Sequence, residues 1–198
     1  LQQSYIASAG GLAITISSDT PLPTNLLMGA TDQTLAKFQF TASSTEPISI
    51  TQLVLSSAFT SAATGTLKNI RLYDDAGALI GSVAGFDATQ ASNTNSTGTF
   101  AGAKFTGLSF TIPAGVTKVI TVKADLAAYT DLGVTATGQA FKLAFLTDYD
   151  GPTAGLQLPV TGTGGQSGVA LSISNTYLVA ATESVAWNNS TTSSSAAA

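Results

Sequence analysis

A single all-β domain, folded as a β-sandwich, is what this sequence predicts, and three observations predict it. Apolar and polar residues alternate in short runs, and no long pattern with a helical period appears. Turn-forming clusters of Gly, Pro, Asn, Asp and Ser interrupt those runs at spacings of roughly ten to twenty residues, the rhythm of a sandwich. The chain of 198 residues with 44% apolar content is large enough to bury one substantial core.

Taken in order, Leu12, Ile14 and Ile16 alternate with Ala13, Thr15 and Ser17 before residues 19–23 break the run with turn chemistry, which gives a first strand and its exit. Residues 35–41 place Ala36, Phe38 and Phe40 on one face and Lys37, Gln39 and Thr41 on the other. In residues 48–57 the phase runs through Ile48 and Ile50, then slips at Thr51-Gln52 to Leu53 and Leu55, as a β-bulge makes it slip. Residues 67–73 and 78–83 flank Asp74-Asp75-Ala76-Gly77 and read as a hairpin. The Asn, Thr and Ser-rich residues 85–98 read as a loop. Leu108, Phe110 and Ile112 lead to the turn Pro113-Ala114-Gly115, and residues 116–125 resume with Ile120 and Val122. Phe141, Leu143 and Phe145 form one further strand, and Val169, Leu171 and Ile173 another, after Gly-rich residues 161–168 that read as a loop. About eight strands result. The expected core is Ile14, Phe38, Phe40, Leu55, Leu72, Phe110, Ile120, Val122, Leu143 and Phe145.

Charged residues make up only 9% of the chain, against roughly 25% in an ordinary soluble domain. The surface is therefore rich in hydroxyls, and such a surface suits packing against copies of the same chain because little charge must be desolvated. A net charge of -4 and seven scattered Lys and Arg argue against nucleic acid as a partner. No run reaches the ~18 apolar residues of a membrane-spanning helix. The first residue is Leu1, as expected of a chain that has lost a signal peptide, which points to an extracellular or cell-surface location.

The opening residues 11–21 with Ala36 to Phe40, the segment Lys-Asn-Ile-Arg-Leu-Tyr-Asp-Asp at 68–75, and residues 111–126 resemble immunoglobulin-like domains that recur in large surface and S-layer-type proteins of bacteria. The resemblance covers roughly residues 11–175. It implies an immunoglobulin-like β-sandwich with an adhesive or structural role, and it brings no catalytic residues with it. Residues 1–10 and 176–198 then read as an N-terminal extension and a Ser/Thr/Ala-rich C-terminal extension.

His and Cys are absent, which excludes Ser-His-Asp and Cys-His catalysis, imidazole-bound zinc and thiol redox chemistry. No Gly-x-Ser-x-Gly elbow or phosphate-binding Gly-Lys-Ser loop occurs. Two carboxylates are enough for sugar hydrolysis, but the acids lie beside turn residues and the single Trp, Trp187, lies in the C-terminal extension. The reading is a chain that is not an enzyme, with no cofactor beyond a structural Ca²⁺. Asp148 and Asp150, in Asp-Tyr-Asp-Gly, and Asp74 and Asp75, with Asp87 across the loop, are the Ca²⁺ candidates; the alternative for each is an Asp that caps its own turn. Asn95, Asn188 and Asn189 open glycosylation sequons.

Assembly is assigned to the extensions. Tyr5 and Ile6 in the first, or Tyr177 and Val179 at alternate positions near the second, can add a strand to a neighbour's open sheet edge; the alternative is that both extensions fold back on their own domain. The expected function is an extracellular subunit that self-assembles into a filament or S-layer-like polymer. The alternative is an adhesin or carbohydrate-binding module that contacts surface glycans.

Overall fold

The computed structural model describes residues 10–22, 24, 26–59, 64–87, 99–128, 131, 140–145, 160–171 and 185–186. It is all-β. Ten strands occur among these residues: β1 (Leu12–Ile16), β2 (Gln33–Ala42), β3 (Ile48–Phe59), β4 (Leu67–Tyr73), β5 (Leu79–Gly85), β6 (Thr99–Ile112), β7 (Thr117–Leu126), β8 (Ala140–Ala144), β9 (Val160–Gly164) and β10 (Val185–Ala186). The first sheet has the order β1-β2-β7-β4-β5, and the second has β10-β8-β3-β6 with β9 also paired to β3. Every pairing is antiparallel.

All ten residues expected in the core are buried. In β2 the alternation sends Phe38 and Phe40 inward with no exposed surface and leaves Lys37 and Gln39 outside. These two rings meet the second sheet edge-on. Phe38 lies 4.9 Å from Phe145, and Phe40 lies 5.4 Å from Phe145 and 6.5 Å from Phe110, all near perpendicular. Each such pair adds about 0.5–1.5 kcal/mol to the burial of its rings. The rings therefore tie the sheets face to face.

The bulge expected at Thr51-Gln52 is present: the register shifts between Ile50 and Gln52 against both β6 and β9. The 12-residue β3 shares its second edge between two partners, with β9 along 48–53 and β8 along 56–59. Gly77 and Gly115 take φ of 80° and 69° in the turns before β5 and β7, which residues with side chains adopt at a cost.

Three expectations are corrected. The Gly-rich residues 161–168 are not simply a loop, because residues 160–164 form β9, followed by a turn. A Cβ on Gly162 would stand 2.4 Å from the Ser49 carbonyl oxygen, so glycine is what lets this strand lie against β3. The strand expected around Val169 and Leu171 is, in its described part, the return of that turn. Ala170 bridges Thr163, and Leu171 N–H donates to Gly162 O at 2.8 Å. Strand β6 also begins at Thr99, well before the expected Leu108.

The sheets also meet along one side. Strand β5 packs on β6 so closely that a Cβ on Gly81 would stand 2.9 Å from Leu108 Cδ2, and the Asp87 and Gly102 backbones exchange two 2.9 Å hydrogen bonds. The opposite side, where β1 and β9 lie, is built differently.

Candidate functional site

Strand β1 is the outer strand of the first sheet, and among the described residues it pairs with β2 alone. Ser17 N–H donates to Lys37 O at 2.9 Å and Ser43 N–H to Gly11 O at 2.8 Å. The odd-numbered positions thus bond to β2. Antiparallel alternation then turns the N–H and C=O groups of Leu12, Ile14 and Ile16 away from it. The side chains of these residues pack on the core, while Ala13 and Thr15 are exposed on the outer face. Natural sheets guard such an edge with Lys, Pro or a bulge. Residues 10–18 carry no charge and no Pro, and the β1–β2 register runs unbroken from Leu12 to Ile16. A groove of about 300 Å³ beside the strand is lined by Gly11, Leu12, Ala13, Thr41, Ala42 and Ser43.

Next to this edge sits Glu46, in the turn between β2 and β3 and only 4% exposed. Its Oε1 accepts from Ser167 Oγ at 2.8 Å and Gly10 N–H at 3.1 Å, and its Oε2 accepts from the N–H groups of Ser167 at 2.9 Å and Gln166 at 3.1 Å. The Ser167 backbone and hydroxyl lead in pulling the carboxyl below the ordinary glutamate range, against burial, and the N–H groups of Gln166 and Gly10 add to them. The carboxylate is therefore ionised and held by neutral donors. Glycine at 164 makes room for it, since a Cβ there would stand 2.1 Å from Oε1. The sequence reading missed Glu46. Its one signal is that residues 41–59 contain no other charge.

A second charged cluster lies on the outer face of the first sheet. Asp125 of β7 accepts from Arg71 Nη2, from Asn69 Nδ2 at 2.8 Å and from the Asp32 N–H at 2.8 Å. Asp32 also reaches Lys123 Nζ at 2.8 Å and Arg71 at 3.4 Å, and Lys123 lies 5.3 Å from the centre of the Tyr73 ring. Burial raises the Asp125 carboxyl, but the Asp32 N–H, the Asn69 amide and Arg71 together bring it below the usual aspartate range. Asn69 and Asp32 both hold positive φ, at 50° and 53°. Asn69 falls where the β4–β7 register shifts, so the bulge aims its amide at Asp125.

Of the expected site residues, Asp74, Asp75 and Asp87 are described, and they do not form one group. Asp74 Oδ1 accepts from the N–H groups of Ala76 at 3.0 Å and Ala78 at 2.7 Å, so it caps its own turn, and Asp75 pairs with Lys118 at 3.0 Å. Asp87 sits in the bridge to Gly102. Among the described residues, no group of three or more acids is placed to hold a metal. Asp148, Asp150, Asn95, Asn188, Asn189, Tyr5, Ile6, Tyr177 and Val179 lie outside the described residues. Of the C-terminal extension, Val185 and Ala186 are described, and they pair with Phe141 and Ala140 of this chain's own β8. No described helix is long and apolar enough to cross a membrane.

No protein-family model and no curated protein matches the sequence. Among solved structures the chain is similar to AvmM, which catalyses macrocyclisation in alchivemycin A biosynthesis, at 12% identity and a TM-score of 0.42, over 89% of this chain and 88% of that one. It is also similar to a family 123 glycoside hydrolase from Clostridium perfringens, at 12% identity and a TM-score of 0.34, over 91% of this chain but 27% of that one. Both of these structures are enzymes, against the expectation that the chain is not one. That expectation rested on absent His and Cys, which removes particular mechanisms and leaves carboxylate chemistry untouched. At these TM-scores the likeness assigns no activity.

Proposed function

We propose that this chain is a building block of an extracellular assembly, in which the open edge of β1 receives a strand from a neighbouring copy. The observation that carries the reading is the β1 edge itself: the N–H and C=O groups of alternate residues Leu12, Ile14 and Ile16 turned away from β2, with no charge and no proline, on a strand whose register has no bulge. Main-chain hydrogen bonds give affinity there whatever the incoming side chains are. The hydroxyl-rich, weakly charged surface and the resemblance to surface-layer domains support the same reading.

The donor in this reading is a terminal extension. The N-terminal one, residues 1–10, is favoured, because its one described residue, Gly10, makes a single bond to Glu46, whereas part of the C-terminal one pairs as a strand within its own chain. Negative-stain microscopy of the purified protein tests the proposal. Ordered filaments or sheets are expected without any ligand, and deletion of residues 1–10 leaves a folded monomer. Monomers from the intact chain, or unchanged polymers after both extensions are removed separately, overturn it.

A further inference from the structure

The Glu46 site joins three stretches of chain that are far apart in sequence. Gly10 lies just before β1, Glu46 lies between β2 and β3, and Gln166 and Ser167 lie in the turn after β9. The sequence separations are 36, 120 and 121 residues, so a single side chain closes long loops of the fold. We propose that Glu46 is an acid-sensitive latch: ionised, it fastens the β9 turn and the chain before β1 to the β2–β3 turn, and protonated, it lets both go.

The chemistry of the donors gives the reason. An ionised carboxylate only accepts hydrogen bonds, which suits a site made of three backbone N–H groups and one hydroxyl. Protonation turns one oxygen into an O–H donor aimed at other donors. The Ser167 hydroxyl can rotate to accept, but the Gly10, Gln166 and Ser167 N–H groups cannot. Fixed backbone donors make the site strongly selective for the anion.

Among the described residues that build the site, Glu46 is the one group that can respond. Residues 10–18, 41–59 and 160–171, which supply the approach to β1, the β2–β3 turn with β3, and β9 with its turn, contain no other acid, base or Tyr. The sign follows from the lowered carboxyl. The latch is fully closed above the ordinary glutamate value of about 4.3, and it opens as pH falls through the lower value that the folded site imposes. Strand β9 keeps its ladder to β3 when the latch opens, so the loosened parts are the 165–169 turn and residues 10–11.

Hydrogen–deuterium exchange read by peptide tests this in monomer or polymer alike, with protection corrected for the intrinsic pH dependence of exchange. In the parent protein, peptides covering residues 10–17 and 160–171 are expected to lose protection together as pH falls through the lowered Glu46 value, while those covering β2 and β7 keep theirs. Glu46→Gln, which leaves an amide N–H facing the same donors, is expected to lower protection in both peptides by about tenfold at neutral pH and to abolish the acid step. Ser167→Ala removes one donor and is expected to move the acid step to higher pH. Independent behaviour of the two peptides, or an acid step that stays where it was in Ser167→Ala, overturns the latch.

Discussion

The two sides of this sandwich are closed by different forces. On the β5 side, Gly81 rests on Leu108 and Phe105, and the Asp87–Gly102 backbone pair stitches one sheet to the other. On the β1 side the described contact between the first strand's approach and the β9 turn runs through one carboxylate, and among the described residues no strand pairs with the edge beyond it. Apolar contact does not respond to pH, and it fills the space a partner would need. A carboxylate in a cradle of N–H groups responds to acid and leaves the neighbouring edge free. The fold is thus fixed on the β5 side, and the β1 side is where it can engage something else.

The largest expected effects are on the core shared by both sides. Phe40→Ala removes a ring that touches Phe110 and Phe145 and is expected to cost about 3–5 kcal/mol in urea unfolding. A loss under ~1 kcal/mol would mean that the rings do not hold the sheets together. Leu108→Ala, at the closed side and 6% exposed, is expected to cost about 2–5 kcal/mol and to raise exchange in β5 and β6 before the β1 side responds. Equal loosening on both sides would mean that the two sides are held alike.

Smaller effects belong to the charged groups. Asp125→Asn weakens the bonds to Arg71 and Asn69 and is expected to cost about 1–3 kcal/mol at neutral pH. Because the Asp125 carboxyl is lowered in the fold, its contribution is complete above the ordinary aspartate value of about 3.9 and fades as pH falls through the lower folded value. The variant and the parent should therefore converge in strong acid, and a gap that widens instead contradicts the assignment. Asp75→Ala breaks only a partly exposed pair with Lys118 and should change stability by less than ~0.5 kcal/mol, a control on the scale of surface charge.

Much of the fold was legible because inward positions carry large apolar residues in strict alternation, as Phe38 and Phe40 or Ile120 and Val122 do. The slip at Thr51 could be read for the same reason. The start of β6 could not, since its inward positions include Ala101 and Ala103, which are fully buried yet too small to mark a face. Nor could β9, where Gly162 and Gly164 look like a linker but are required by close approach to Ser49 and Glu46. The candidate site was half legible. The alternation of Leu12, Ile14 and Ile16 marked the strand, but its place at a sheet edge comes from topology. Glu46 sits in a Ser-Thr-Glu-Pro turn, and its partners, 36 and 121 residues away, leave no local pattern.

That the β1 edge joins one copy to another is a claim best checked by charging that edge. Ala13 and Thr15 are exposed, so replacing both with Lys leaves the core as it is while placing on the strand the charge that natural edges use against pairing. Sedimentation velocity with parallel negative-stain imaging should show polymers of the parent, and a folded monomer of the Ala13→Lys, Thr15→Lys variant with an unchanged urea midpoint. Polymers that persist undiminished in the variant, or a parent that sediments only as a monomer, would contradict the claim.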